Sequence, residues 1–106
     1  LVNPSDLDDA IDCDLALCPV TNTMPIRRLS LRDRAVPATA LVMAWVDMPT
    51  LQVDRSDQTY AADPAALPGK VQFASDGGDF HSELTIDGNG VVIDYPQLAR
   101  RVRLPY

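Results

Sequence analysis

The chain contains one histidine, two cysteines and one tryptophan, and each scarcity removes a class of chemistry. His81 with Cys13 and Cys18 is too thin a set for the four nitrogen and sulfur ligands of a zinc site. No apolar run approaches the roughly 20 residues a helix needs to span a bilayer, so no membrane span is expected. Basic residues number nine against fifteen acids, for a net charge of −6, so a nucleic-acid partner has no electrostatic support. No glycine-rich phosphate loop, nucleophile elbow or Cys–His pairing pattern occurs, so no cofactor, no metal and no catalytic residue is expected. The start lacks the basic segment and apolar run of a signal peptide. It opens on Leu1 rather than Met, and the expectation is a chain cut from something longer.

What is present is an average globular mix, with 46% hydrophobic and 23% charged residues in a length that suits one small domain. Cys13 and Cys18 sit in a segment, 11–17 and its end, that alternates like a strand. Extended, their Cα atoms would lie about 16 Å apart, beyond the roughly 7 Å a disulfide spans. Two unpaired thiols point to a reducing compartment, hence a cytoplasmic location.

The dominant periodicity is two. Residues 11–17 read as a half-buried strand, with 26–31 as a short one. Residues 39–46 are apolar on both faces, as in a central strand. Segment 51–55 alternates and 58–61 continues it, while Pro64 and Pro68 make 62–69 a loop. Residues 70–75 place Val71 and Phe73 on one side, and 76–79 form a turn. Phe80, Ser82, Leu84 and Ile86 then share a face. Residues 87–90 supply a tight turn, after which Val91, Ile93 and Tyr95 line one face of the return strand. Residues 99–104 form a last strand. Helical alternatives stay open only at 4–10, where Ser5 is a candidate cap, and at 97–102. The expectation is a mainly β domain over residues 1–106, an antiparallel meander of seven to eight strands forming a curved sheet or half of a β-barrel.

Several side chains have both a functional and a structural reading. His81 falls opposite Phe80, Leu84 and Ile86, as a general base or, more simply, a solvent-facing strand residue. Asp12 and Asp14 share a face about 6.6 Å apart, as paired carboxylates or as polar alternation on a solvent-facing strand. A hydrolase acting through Asp12, Asp14 or His81 is a distant third reading. The loop at 87–90 begins like a calcium site but fails where Val91 takes a ligand position, which leaves a hairpin turn. Arg27, Arg28, Arg32 and Arg34 form one basic cluster and Arg100, Arg101 and Arg103 another, to hold an anionic head group or to pair with the acids. Trp45, Tyr60, Phe73, Phe80, Tyr95 and Tyr106 are the aromatics. On barrel strands such residues line a cavity as readily as they fill it.

The run Pro19-Val20-Thr21-Asn22-Thr23-Met24-Pro25-Ile26-Arg27-Arg28-Leu29 is the most specific stretch. Downstream come Ala44-Trp45-Val46-Asp47-Met48-Pro49, then Gln58-Thr59-Tyr60, then Asp94-Tyr95-Pro96-Gln97-Leu98 with Arg100-Arg101. In order and spacing these resemble the Putative glycolipid-binding family of bacterial proteins from about Asp12 to Val102. Members are longer, and this chain looks like their C-terminal half. The resemblance implies a many-stranded, roughly symmetric β-barrel, a lipid or glycolipid ligand, and no catalytic residues. By motif match it carries over Asn22, Pro25, Arg27, Arg28, Trp45, Tyr60, Tyr95 and Arg100. The sequence departs from the pattern at Gln97 and Ala99, where a Gly and a Trp are expected.

Local chemistry gives the same motif a second role. Pro25 fixes its own φ and favours an extended Met24 leading into a strand at Ile26. Asn22 reads as a corner residue that bonds nearby backbone or adopts left-handed φ. Two readings therefore stand together: a non-catalytic module that binds a lipid or glycolipid in a barrel cavity, and an assembly module whose sheet is closed by a homodimer.

Overall fold

A computed structural model describes residues 4–102. Arg103, Tyr106, the end of the expected 99–104 strand and the Ser5 side chain lie outside the described residues. Among the described residues seven strands form one sheet in chain order: β1 (Asp12–Leu15), β2 (Val36–Val46), β3 (Val53–Ala62), β4 (Lys70–Ser75), β5 (Phe80–Ile86), β6 (Val92–Tyr95) and β7 (Ala99–Arg100). The sheet curls into a half-barrel. Every neighbouring pair is antiparallel except β1 and β2, which run parallel with Asp12 opposite Met43 and Leu15 opposite Val46. Among the described residues no helix is long and apolar enough to cross a membrane.

The parallel pair departs from a pure meander, and its cause lies in the connection. Parallel neighbours need a crossover rather than a hairpin. Here the crossover is a 3-10 turn (Pro19–Asn22) running into a helix, α1 (Thr23–Arg28). Residues 26–31 are thus not a strand, and Met24 is helical rather than extended. Pro25 sits in the first turn of α1, where its missing N–H has no intrahelical partner to lose. Asn22 has φ −65° and ψ −18°, so it is neither left-handed nor a corner.

The end of α1 explains why the helix is hidden in the sequence. Ser30 takes φ +56°; its N–H donates to Arg27 O and the Leu31 N–H to Ile26 O. These paired bonds make a Schellman stop, ordinarily marked by glycine at the position Ser30 holds. Ile26 and Leu31, the two residues such a stop brings together, are both buried in the core.

That core also contains Val36, Tyr60, Ala62, Val71, Phe73, Leu84, Ile86 and Tyr95, all on the concave side or capping one end of it. Each alternating strand contributes its apolar face, as the period-two pattern requires. Expected segments 51–55 and 58–61 are one strand, β3. The β2–β3 register shifts between Val36 and Thr39, where Pro37 has no N–H to give the ladder.

Four further expectations are corrected. The strand over 11–17 shortens to β1, because Leu17 turns the chain with φ +61°. Its faces are also reversed: parallel register beside Met43 and Trp45 turns Asp12 and Asp14 to the concave side, while Ile11 is left exposed. The β5–β6 register shifts between Thr85 and Ile86, pairing Ile86 with Val92 and Thr85 with Asp94. This irregularity at Ile93 breaks the alternation, so Val92 and Tyr95 pack on the core instead of Val91, Ile93 and Tyr95. Of the helical alternatives, 97–102 contains β7, and 4–10 forms only a 3-10 turn (Pro4–Leu7).

One tight turn fastens the helix to the sheet. Asp87 accepts from the N–H groups of Asn89 and Val91 and pairs with Arg101. The Arg101 bond, aided by those two backbone bonds, holds its carboxyl down at about 2. Gly90 follows with φ +80°, and a Cβ there would sit 3.3 Å from Ile26 Cγ2 and 3.4 Å from Arg27 Cγ. Arg27 Nε donates to Asn89 O at 3.0 Å across the same contact.

Gly90→Ala therefore combines left-handed strain with crowding against α1 and is expected to cost about 2 kcal/mol in chemical denaturation. Gly77→Ala, also at positive φ but with nothing within 4 Å of a Cβ, is the control. It is expected to cost about 1 kcal/mol. Equal losses would mean that the α1 contact is not tight.

Candidate functional site

The concave face carries more than packing. Four aromatic rings meet there: Tyr60 and Phe73 at 5.2 Å between centroids, Phe73 and Phe80 at 6.0 Å, Phe73 and Tyr95 at 6.1 Å, and Phe80 and Tyr95 at 6.4 Å. The first three contacts are edge-to-face, the arrangement ring quadrupoles favour. Tyr60 and Phe73 are in the core, whereas Phe80 is 38% exposed at its rim. Trp45, the sole tryptophan, stands on β2 across from Phe80 and Tyr95.

Between these walls lies a cleft of about 520 Å³, bordered by the rings of Trp45, Phe73, Phe80 and Tyr95 and by Asp14, Arg55, Ser56, Asp57, Gln58, Ser75 and Gly77. It continues as a space of about 300 Å³ beside Leu15, Cys18 and Leu98, sharing Asp14, Trp45, Phe80 and Tyr95. Both volumes suit a small ligand or part of a chain; in the larger space the aromatic rings face a lining that is polar and charged.

The polar groups at its floor are linked. Gln58 is 2% exposed, and its Nε2 donates to Asp14 Oδ2 at 2.7 Å and to Ser56 Oγ at 3.2 Å. Thr21 Oγ1 donates to Cys18 O at 2.9 Å, accepts from the Leu15 N–H, and lies 3.5 Å from Asp14 Oδ1. Burial pushes the Asp14 carboxyl above its ordinary value, and the Gln58 and Thr21 contacts pull it partway back. Behind this floor, Asn22 Nδ2 donates to Tyr60 Oη at 2.8 Å in the core. Burial raises the Tyr60 phenol against the lowering pull of that bond, and it lifts Tyr95 to about 12.

The residues singled out in the sequence divide into three groups. Trp45 and Tyr95 border the cleft, and Asn22 and Tyr60 form the buried bond behind it; Asn22 also borders its smaller part. The arginines lie elsewhere. Arg28 holds Asp12 at 2.6 Å, Arg27 bonds Asn89, Arg32 pairs with Asp33, and Arg100 lies 4.0 Å from Asp94. Arg28, Arg32, Arg100 and Arg101 are thus set against acids, and Arg27 against a backbone carbonyl. His81 is exposed on the convex face opposite Ala74, so it does not meet Asp12 or Asp14. Cys13 and Cys18 are free thiols. Among the described residues, no three His, Cys, Asp or Glu side chains gather as metal ligands.

Gln58 stands in the run Gln58-Thr59-Tyr60 of the sequence but is given no site role there. Its signal was present: in a strand it lies two positions before Tyr60, so a polar amide shares the core-facing side with a buried phenol.

Two measurements test this polar floor. Tyr60→Phe leaves the Asn22 amide without its acceptor and is expected to cost about 1–3 kcal/mol by denaturant unfolding. A loss well under that range would remove the bond's structural role. Asp14 has a raised folded pKa, so above its ordinary value of 3.8 the folded state holds more proton than the unfolded one. Its contribution to stability therefore falls as pH rises through that window. Asp14→Asn, which keeps an acceptor for Gln58, is expected to gain stability relative to the parent from pH about 3 to about 7. A difference independent of pH would contradict the shift.

The backbone has a solved relative. It superposes on the crystal structure of a DUF1089 family protein from Pseudomonas aeruginosa with a TM-score of 0.80 and 31% sequence identity. The match covers 92% of this chain and 51% of that one, so this chain spans about half the length of that protein. No curated protein matches the chain. The Putative glycolipid-binding family matches residues 2–101, nearly the whole sequence, and the chain belongs to that family.

Proposed function

We propose that this chain is a non-catalytic binding protein whose concave cleft takes an amphipathic lipid or glycolipid. The observation that carries the reading is the cleft itself, about 520 Å³ of space walled by Trp45, Phe73, Phe80 and Tyr95 over a polar floor of Asp14, Ser56 and Gln58, with the ion pair Arg55–Asp57 beside it. Small barrels whose inner faces are not filled by side chains hold ligands there. The apolar wall suits an acyl chain, and the polar floor suits a head group. The family's description, glycolipid-binding, agrees with that division.

Trp45 borders both parts of the cleft, so it reports on occupancy. Titration with a short-chain lysolipid below its micelle concentration is expected to shift Trp45 emission to the blue. Phe80→Ser removes an exposed part of the wall and is expected to weaken that response about tenfold, the loss of roughly one buried aromatic contact. Native mass spectrometry of the purified protein is expected to find extra mass that organic extraction removes. No emission change and no extra mass would end the reading.

A second reading, closure of the half-barrel by a homodimer, is favoured by the match to about half of a longer relative. It places the cleft at a junction between copies. A concentration-independent monomer by sedimentation would exclude it.

A further inference from the structure

The floor of the cleft contains an acceptor with no donor. Both amide N–H groups of Gln58 are committed, to Asp14 and Ser56. Its Oε1 is buried and meets no partner among the described residues. An unsatisfied buried acceptor is uncommon and costly, and it calls for an explanation. Beside it stands Asp14, joined to the same amide at 2.7 Å; its Oδ1 has only the 3.5 Å contact to Thr21, whose hydroxyl makes a shorter bond to Cys18 O. Two adjacent acceptors therefore lack good donors, in a floor overlooked by aromatic rings.

Resting on the binding reading above, we propose that Asp14 and Gln58 read a pair of neighbouring hydroxyl groups on a sugar ring that stacks beside Phe80 and Tyr95. A vicinal diol supplies two O–H donors a short distance apart, which is what two adjacent acceptors require. The C–H face of a sugar ring is apolar and suits an aromatic wall. A phosphate or carboxylate head group fits poorly, since it brings acceptors only and meets the Asp14 carboxyl. Arg55 borders the cleft but is bonded to Asp57, so it does not reverse that preference. The head group selected is an uncharged polyol rather than an anion.

The test compares two probes with the same chain, octyl β-glucoside and octyl phosphate, each below its micelle concentration, followed by Trp45 emission. The parent protein is expected to bind the glucoside about tenfold more tightly, the worth of roughly one to two hydrogen bonds. Gln58→Met, which keeps the side-chain length but removes donor and acceptors, is expected to bring the ratio near one. Equal binding of both probes by the parent protein overturns the hydroxyl assignment and leaves the cleft as a lipid site. Binding of neither overturns the binding reading as well. The parent ratio decides the matter even if Gln58→Met fails to fold, and Asp14→Asn supplies a second variant expected to lower it. Competition by free glucose identifies the source as a soluble saccharide; failure of glucose to compete assigns the ring to a glycolipid head group.

Discussion

The half-barrel depends on how the crossover between β1 and β2 is seated. Its 3-10 turn and helix drop Ile26 and Leu31 into one end of the curled sheet, and Asn22 bonds the buried Tyr60 hydroxyl. Around that plug the chain is fastened at three points: Arg28 to Asp12 on β1, Arg27 to the β5–β6 turn, and Gly90 against Ile26. A sheet of seven strands left alone would leave its concave face to water. The plug covers one end and leaves the rest as a walled cleft.

The same seating determines the chemistry of that cleft. The register in which the crossover sets β1 on β2 places Asp12 opposite Met43 and Asp14 opposite Trp45, so both turn inward. Asp12 is neutralised by Arg28, whereas Asp14 is met by an amide, and its carboxyl titrates above the ordinary range. The inner face is thus divided by charge and by shape. Aromatic rings from β2, β4, β5 and β6 wall the cleft, and a polar floor spans β1 and β3. That division is what an amphipathic ligand requires, and it does not depend on a catalytic group.

Much of the sheet was legible in the sequence because strands advertise themselves by alternation and turns by glycine and aspartate. The hairpins around 76–79 and 87–90 and the shared face of Phe80, Ser82, Leu84 and Ile86 are read directly from such patterns. The helix was not legible. Six residues, Thr23–Arg28, are too few to show a period, Pro25 argues against a helix, and Ser30 stands where a glycine would have marked its stop. The bulge at Ile93 escaped for a similar reason, since one unpaired residue breaks the alternation of its strand without altering composition. The site was half legible. Trp45 and Tyr95 are conspicuous as scarce aromatics, but Gln58 looked like one more polar strand residue.

By itself the sequence determined a small, acidic, mainly β domain with free thiols, because composition and alternation are local properties that survive without knowledge of distant contacts. The tertiary structure alone decided which face of β1 points inward, which carboxylates find arginines, and where the aromatic rings converge. Those outcomes rest on register and on one crossover, and each joins residues far apart in the chain: Asn22 to Tyr60, Asp14 to Gln58, Arg27 to Asn89. Alternation records only that a residue has two faces to choose from; the packing of the plug against the sheet makes the choice.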